Sequence, residues 1–227
     1  MLRALLWKDF RVNYMPLLVG ALLLIQPMVV GAMVNLIGYW RFGEWGETWA
    51  SLVARMSVLS LGLSVVTFAM VPGNAIAGER ADRSAEFLAY LPPSRRASIV
   101  SKGLVAVLAL AMVWAINAAY IWIIAPALGE VPPDSAGFVR EVVPQLAALS
   151  VSMFGAAWLG SSVLPSAVYA TGVGFSAPWI VLSALAIFEY VLGYEGWVLQ
   201  GFIPVSVIIG ILCFVAGIVC YLRRIQP

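Results

Sequence analysis

From Arg11 to Arg41 no charged residue interrupts positions 12–40, and the same pattern recurs at 56–78, 103–129, 142–188 and 196–222. A helix needs about 20 apolar residues to cross the hydrocarbon core of a bilayer. Four of these runs have room for one crossing each. The run 142–188 has room for two and is broken by Leu164-Pro165-Ser166. The pattern therefore predicts six spans, at about 16–38, 54–78, 101–125, 142–163, 167–188 and 200–222. The runs are continuous rather than alternating, which argues against a membrane β-barrel.

Two segments outside the spans are also patterned. In residues 1–14, Leu2, Leu6 and Phe10 recur at helical spacing beside Leu5, opposite Lys8 and Arg11. With Trp7 and Tyr14 as headgroup-level anchors, this predicts an interfacial helix before the chain turns inward at Pro16. Between spans two and three, residues 79–100 pair Glu79 with Arg83 at i,i+4 spacing and carry an apolar stripe of Phe87, Leu88 and Leu91. Pro92 and Pro93 break that helix, and Ser94 is placed to cap the next. The predicted fold is a single all-α integral membrane domain over 1–227. It has six transmembrane helices, an N-terminal interfacial helix and a cytoplasmic helix between spans 2 and 3.

Composition agrees with a bilayer environment: 63% of the chain is apolar, 11% is charged, and the mean hydropathy is +0.97. Soluble domains carry about a quarter charged residues, so a soluble enzyme and a nucleic-acid-binding domain are excluded. Of the 13 Lys and Arg, only Arg41, Arg55 and Arg140 fall on the side opposite the termini. Cytoplasmic loops carry the excess of Lys and Arg. Both termini are thus expected in the cytoplasm, with the chain in a bacterial inner membrane. Cys213 and Cys220 are about 10 Å apart along one helix, too far for a disulfide.

The residue inventory removes most chemistry. With no histidine, Ser-His hydrolysis and histidine-ligated metals are unavailable. Asp9, Asp82 and Asp134 fall in aqueous segments, and Arg55 and Glu189 lie near outer span ends, so no intramembrane charge marks an ion path. Lys8 and Lys102 follow Trp7 and Ser101, whereas a phosphate-cradling P-loop needs Gly-Lys-Ser/Thr. Scattered methionines such as Met28, Met33, Met56 and Met70 are ordinary packing residues rather than a metal cluster. Neither catalytic residues, metal ligands nor a bound cofactor are expected. Asn117, midway along span three, suits an inter-helix hydrogen bond. Small-residue ridges at Ser152-Ala156-Gly160 and Ala111-Ala115-Ala119 are expected to pack within the protomer. Pro27, Pro72 and Pro178 mark kinks, static or mobile.

The arrangement Glu79-Arg80…Leu88…Leu91-Pro92-x-Ser94-Arg95…Lys102, following an N-terminal Leu6-Trp7-Lys8-Asp9-Phe10, resembles the ABC-2 type permeases, the membrane subunits of ATP-binding cassette exporters. Ser84-Ala85 stands where many members carry Gly-Thr. The resemblance implies that 79–100 is a coupling segment gripped by a separate ATPase subunit. Lys8, Arg11, Glu79, Arg80, Asp82, Arg83, Glu86, Phe87 and Arg95 would form the contact, with Pro92 and Pro93 fixing its angle. It further implies a dimer of permeases, homomeric or heteromeric, with ATP and Mg held only in the partner, and a connection between spans five and six folded into the outer leaflet. An ordinary interfacial loop at 188–197 is equally compatible with the residues. The apolar, aromatic spans favour a lipid-like, amphipathic or hydrophobic peptide cargo. The rival reading is a membrane scaffold or immunity subunit that docks a partner through the same loop without transport.

Overall fold

A computed structural model describes residues 2–43, 48–81, 94–193 and 196–223. Its helices are α1 (Leu2–Val12), α2 (Tyr14–Phe42), α3 (Trp49–Ala81), α4 (Arg95–Ala119), α5 (Pro133–Val163), α6 (Ala167–Leu192) and α7 (Trp197–Arg223). A π-helical turn at Tyr120–Ile124 and a short helix at Ala125–Ala127 carry α4 onward. Six of these helices, α2 to α7, are long and apolar enough to cross a membrane, so the protein is an all-helical membrane protein. No strand occurs among the described residues.

The helices extend beyond the apolar runs, because a helix does not stop where the hydrocarbon does. α3 begins at Trp49 and keeps Arg55 inside it, and α5 begins at Pro133 and includes Arg140 and Glu141. Pro133 suits the first helical position, where its missing N–H costs nothing. Ser94 caps α4, its Oγ accepting the Ala97 N–H at 3.3 Å. The turn into α2 falls at Asn13 rather than at Pro16, which is accommodated in the first turn of α2.

α3 is the central element, packed against α2, α4, α5 and α6, and it is the most buried of the spans. Its buried hydroxyls are satisfied by backbone carbonyls: Ser57 donates to Ala54 at 2.8 Å, Ser64 to Leu61 at 3.0 Å and Ser60 across to Leu24 of α2 at 2.6 Å. In lipid, unpaired polar groups are costly, so these bonds let a serine-rich helix occupy the core. α5 and α7 pack backbone to backbone. A Cβ at Gly155 would lie 1.9 Å from the Gly210 carbonyl oxygen. Trp158 is fully buried beside them, its ring 5.2 Å from Phe214.

Of the two small-residue ridges, Ser152-Ala156-Gly160 is buried within the protomer. The other is not: Ala111 and Ala115 are exposed, because α4 turns Val105, Ala106, Asn117 and Ile121 inward instead. Asn117 uses its amide within its own helix, Nδ2 donating to the Val113 carbonyl at 2.9 Å.

Between α6 and α7 only 193–196 remain, of which 194–195 lie outside the described residues. Gly193 ends α6 in the left-handed conformation at φ 69°. The Glu189 carboxylate then accepts the backbone N–H groups of Gly196 at 3.3 Å and Val198 at 2.8 Å, capping α7 from the neighbouring helix. Glu189→Ala is expected to cost about 0.5–2 kcal/mol, the range of a lost N-cap. A lowered thermal midpoint in detergent, with Glu189→Gln falling between the two, checks it.

Candidate functional site

α1 turns a polar face inward. Leu5, Asp9 and Asn13, four residues apart, are buried, while Trp7 and Phe10 are exposed with their rings stacked 6.1 Å apart. The buried stripe is thus offset from the Leu2-Leu6-Phe10 line that the sequence suggests. Its cause lies in what α3 and α4 offer it.

Lys102, seven residues past the start of α4, is 2% exposed. Its Nζ lies 2.6 Å from Glu79 Oε1 and donates to Asp9 Oδ1 at 3.3 Å and the Ala75 carbonyl at 2.8 Å. An ammonium has three donors, so all of them are used. Ser101 Oγ donates to the other Asp9 oxygen, Oδ2, at 2.5 Å. Lys8 reaches in from the half-exposed side to bond Glu79 Oε1, and its Nζ lies 3.7 Å from Asp9 Oδ1. Among the described residues, two carboxylates and two ammonium groups thus meet in this cluster. Such burial is tolerated only where partners are complete, since unpaired buried charge is very costly.

Amide contacts extend the cluster. Asn13 Nδ2 donates to the Asp9 carbonyl at 2.9 Å, and Asn74 Nδ2 to the Val12 carbonyl at 3.2 Å. At the end of α3, Arg80 donates to the carbonyls of Ser162 at 2.9 Å and Leu164 at 3.0 Å, satisfying oxygens that the end of α5 leaves without helical partners. Ser161 Oγ accepts the N–H groups of both Ile76 and Ala77 at 2.9 Å. One end of the bundle is thereby cross-tied: α1 to α3 and α4 by charge, and α3 to α5 by an arginine clamp.

The expected contact residues separate accordingly. Glu79 and Lys8 belong to the internal cluster, and Arg80 belongs to the clamp. Arg11 and Arg95 are exposed. Asp82, Arg83, Glu86, Phe87, Pro92 and Pro93 lie outside the described residues, as does the partner expected for Glu79 at Arg83.

Asp9, placed in an aqueous segment by the run-counting argument, is instead buried, with Lys102 as its counter-charge. The available signal was that the chain's only two lysines both stand at the entrance to apolar runs. Asp9 also shares a helical face with Leu5 and Asn13.

No group of three His, Cys, Asp or Glu placed to hold a metal occurs among the described residues. What the arrangement does is tie α1, α3 and α4 together through ion pairs. Comparison of the chain with family models, curated proteins and solved structures returned no match.

Proposed function

We propose that this chain is the permease subunit of an ABC-2 type exporter, dimeric, driven by a separate ATPase and moving a hydrophobic or amphipathic cargo. The observation that carries this reading is the charge cluster. Glu79 lies in the last turn of α3 and Lys102 two turns into α4, so the two helices that flank 82–93 are bonded to each other and to α1. A partner pulling on that connection would therefore move three helices together, and its two-signed sequence suits such a contact. Neither Lys8 nor Lys102 stands in a Gly-Lys-Ser/Thr motif, which fits an energy source in a separate ATPase subunit.

Sidedness supports the same reading. The end that holds the cluster carries Arg3, Lys8, Arg11, Arg80, Arg95, Arg96, Lys102 and Arg223, and the opposite end only Arg41, Arg55 and Arg140. By the positive-inside rule the cluster, the connection and both termini face the cytoplasm of the inner membrane, where an ATPase could reach them. α1, with Trp7 and Phe10 exposed, would lie along that surface.

The test is co-expression with a candidate ATPase subunit. ATP hydrolysis in proteoliposomes is expected to depend on the chain. Reversing Arg83 and Glu86 together is expected to abolish co-purification of the ATPase while membrane insertion is retained. Retention of the ATPase by the reversed variant would count against docking at 79–100. Docking without cargo movement would favour a scaffold instead.

A further inference from the structure

An apolar groove of about 310 Å³ lies between α2 and α4, floored by α3. Leu17 and Leu24 of α2, Phe68 and Val71 of α3, and Val105 and Ile116 of α4 line it. The hydroxyl of Thr67, which also faces it, is used by the Ser64 carbonyl, so the lining offers no unspent polar group there. Gly20 brings α2 against Thr67 at the floor; a Cβ there would lie 2.4 Å from Thr67 Cγ2. The volume falls in the range of small-molecule sites, about 300–1,000 Å³.

Length and charge identify the occupant. From Val105 to Ile116 a helix rises about 16 Å, roughly half of a hydrocarbon core of about 30 Å. The groove therefore runs the depth of one leaflet. It opens beside Phe10 of α1, at the end where Asp9 and Glu79 are buried and bonded. Among the described residues of that end, the exposed charges are cations, including Arg3, Arg11 and Arg96. A one-leaflet apolar slot with a cationic rim is complementary to a lipid with a negative headgroup.

We infer that this groove holds one acyl chain of an anionic phospholipid from the leaflet that contains α1, its phosphate facing Arg11 and Arg96. The inference is independent of the transport reading, since it concerns the free membrane subunit.

The test uses the purified full chain in phosphatidylcholine vesicles containing a trace of phospholipid with a photoreactive acyl chain, carrying either a phosphatidylglycerol or a phosphatidylcholine headgroup. Mass spectrometry of the digested protein locates the adducts. The glycerol probe is expected to label the α2 segment 17–24 and the α4 segment 105–116. Its yield should exceed that of the choline probe about fivefold if one cation engages it and about thirtyfold if two do, at about 1 kcal/mol each. Arg11→Glu should reduce that preference, and Ala109→Trp, which fills the groove, should remove the adducts. Ala21→Phe from the opposite wall serves as the second filler should Ala109→Trp fail to fold, as judged by size-exclusion profile. Equal labelling by both probes, or labelling that survives a folded groove-filling variant, would overturn the inference. So would links between two copies through these segments in place of lipid adducts, which would show that a second chain covers the groove.

Discussion

Lys102→Met is expected to destabilise the protein by about 3–5 kcal/mol, the cost of breaking a buried ion pair by removing one partner. Methionine keeps most of the side-chain length, so the loss is electrostatic rather than a cavity. Asp9 would keep Ser101 and a Lys8 ammonium 3.7 Å away, Glu79 would keep Lys8, and the Ala75 carbonyl would lose its donor. Among the described residues, one ammonium would then face two buried carboxylates. Adding Glu79→Gln returns the count to one of each, so the double variant is expected to be more stable than Lys102→Met alone. Non-additivity of this kind is the signature of residues sharing one network. Thermal unfolding in mild detergent checks both. A single variant that melts like the parent would mean that the ammonium is not buried among these carboxylates.

Gly155→Ala and Gly210→Ala are expected to be the most damaging alanine substitutions among the glycines. At Gly155 the new methyl would meet the Gly210 carbonyl oxygen at 1.9 Å and its carbon at 2.6 Å; at Gly210 it would meet the Val151 oxygen at 2.4 Å. These are backbone atoms that cannot rotate away, so α5 and α7 must separate. Overpacking a core costs about 1–3 kcal/mol, and a helix pair held chiefly by close van der Waals contact in lipid has little to replace it. The control is the same substitution at Gly62 or Gly137, where nothing lies within 4 Å of the new methyl. There alanine is expected to stabilise by about 0.5–1 kcal/mol through helix propensity. Opposite signs for one chemical change, read as detergent melting temperatures, make the comparison decisive.

The spans were legible because the bilayer imposes a simple rule: charge-free runs longer than about 20 residues must be crossings. The break at Leu164-Pro165-Ser166 was equally plain, and α5 and α6 meet around it. What each helix turns inward was less legible. In lipid an outward face is as apolar as an inward one, so Ala111 and Ala115 look like a packing ridge yet are exposed. The charge cluster was hidden for a related reason. Counting charges treats each as wanting water, whereas Asp9, Glu79 and Lys102 come from three separate segments and satisfy one another only after the helices assemble. No local spacing encodes that meeting. Glu189 shows the same limit on a smaller scale, since its capping role depends on Gly193 reversing the chain.

The π-helical turn at Tyr120–Ile124 lies between two anchored halves of one long span. On one side Lys102 is locked to Asp9; on the other Ala125, together with Ile121 of the turn itself, packs with Ala54 and Val58 of α3. Each residue in a regular helix advances the azimuth by about 100°. The wide turn therefore acts as a phase adjuster, letting a single rod present its ammonium to α1 and its aliphatic side to α3 at once. A one-residue deletion within the turn would regularise the winding and keep the two halves in mutual aim, whereas removing a second residue would swing them apart by about 100° and misdirect either the ionic anchor or the aliphatic seat.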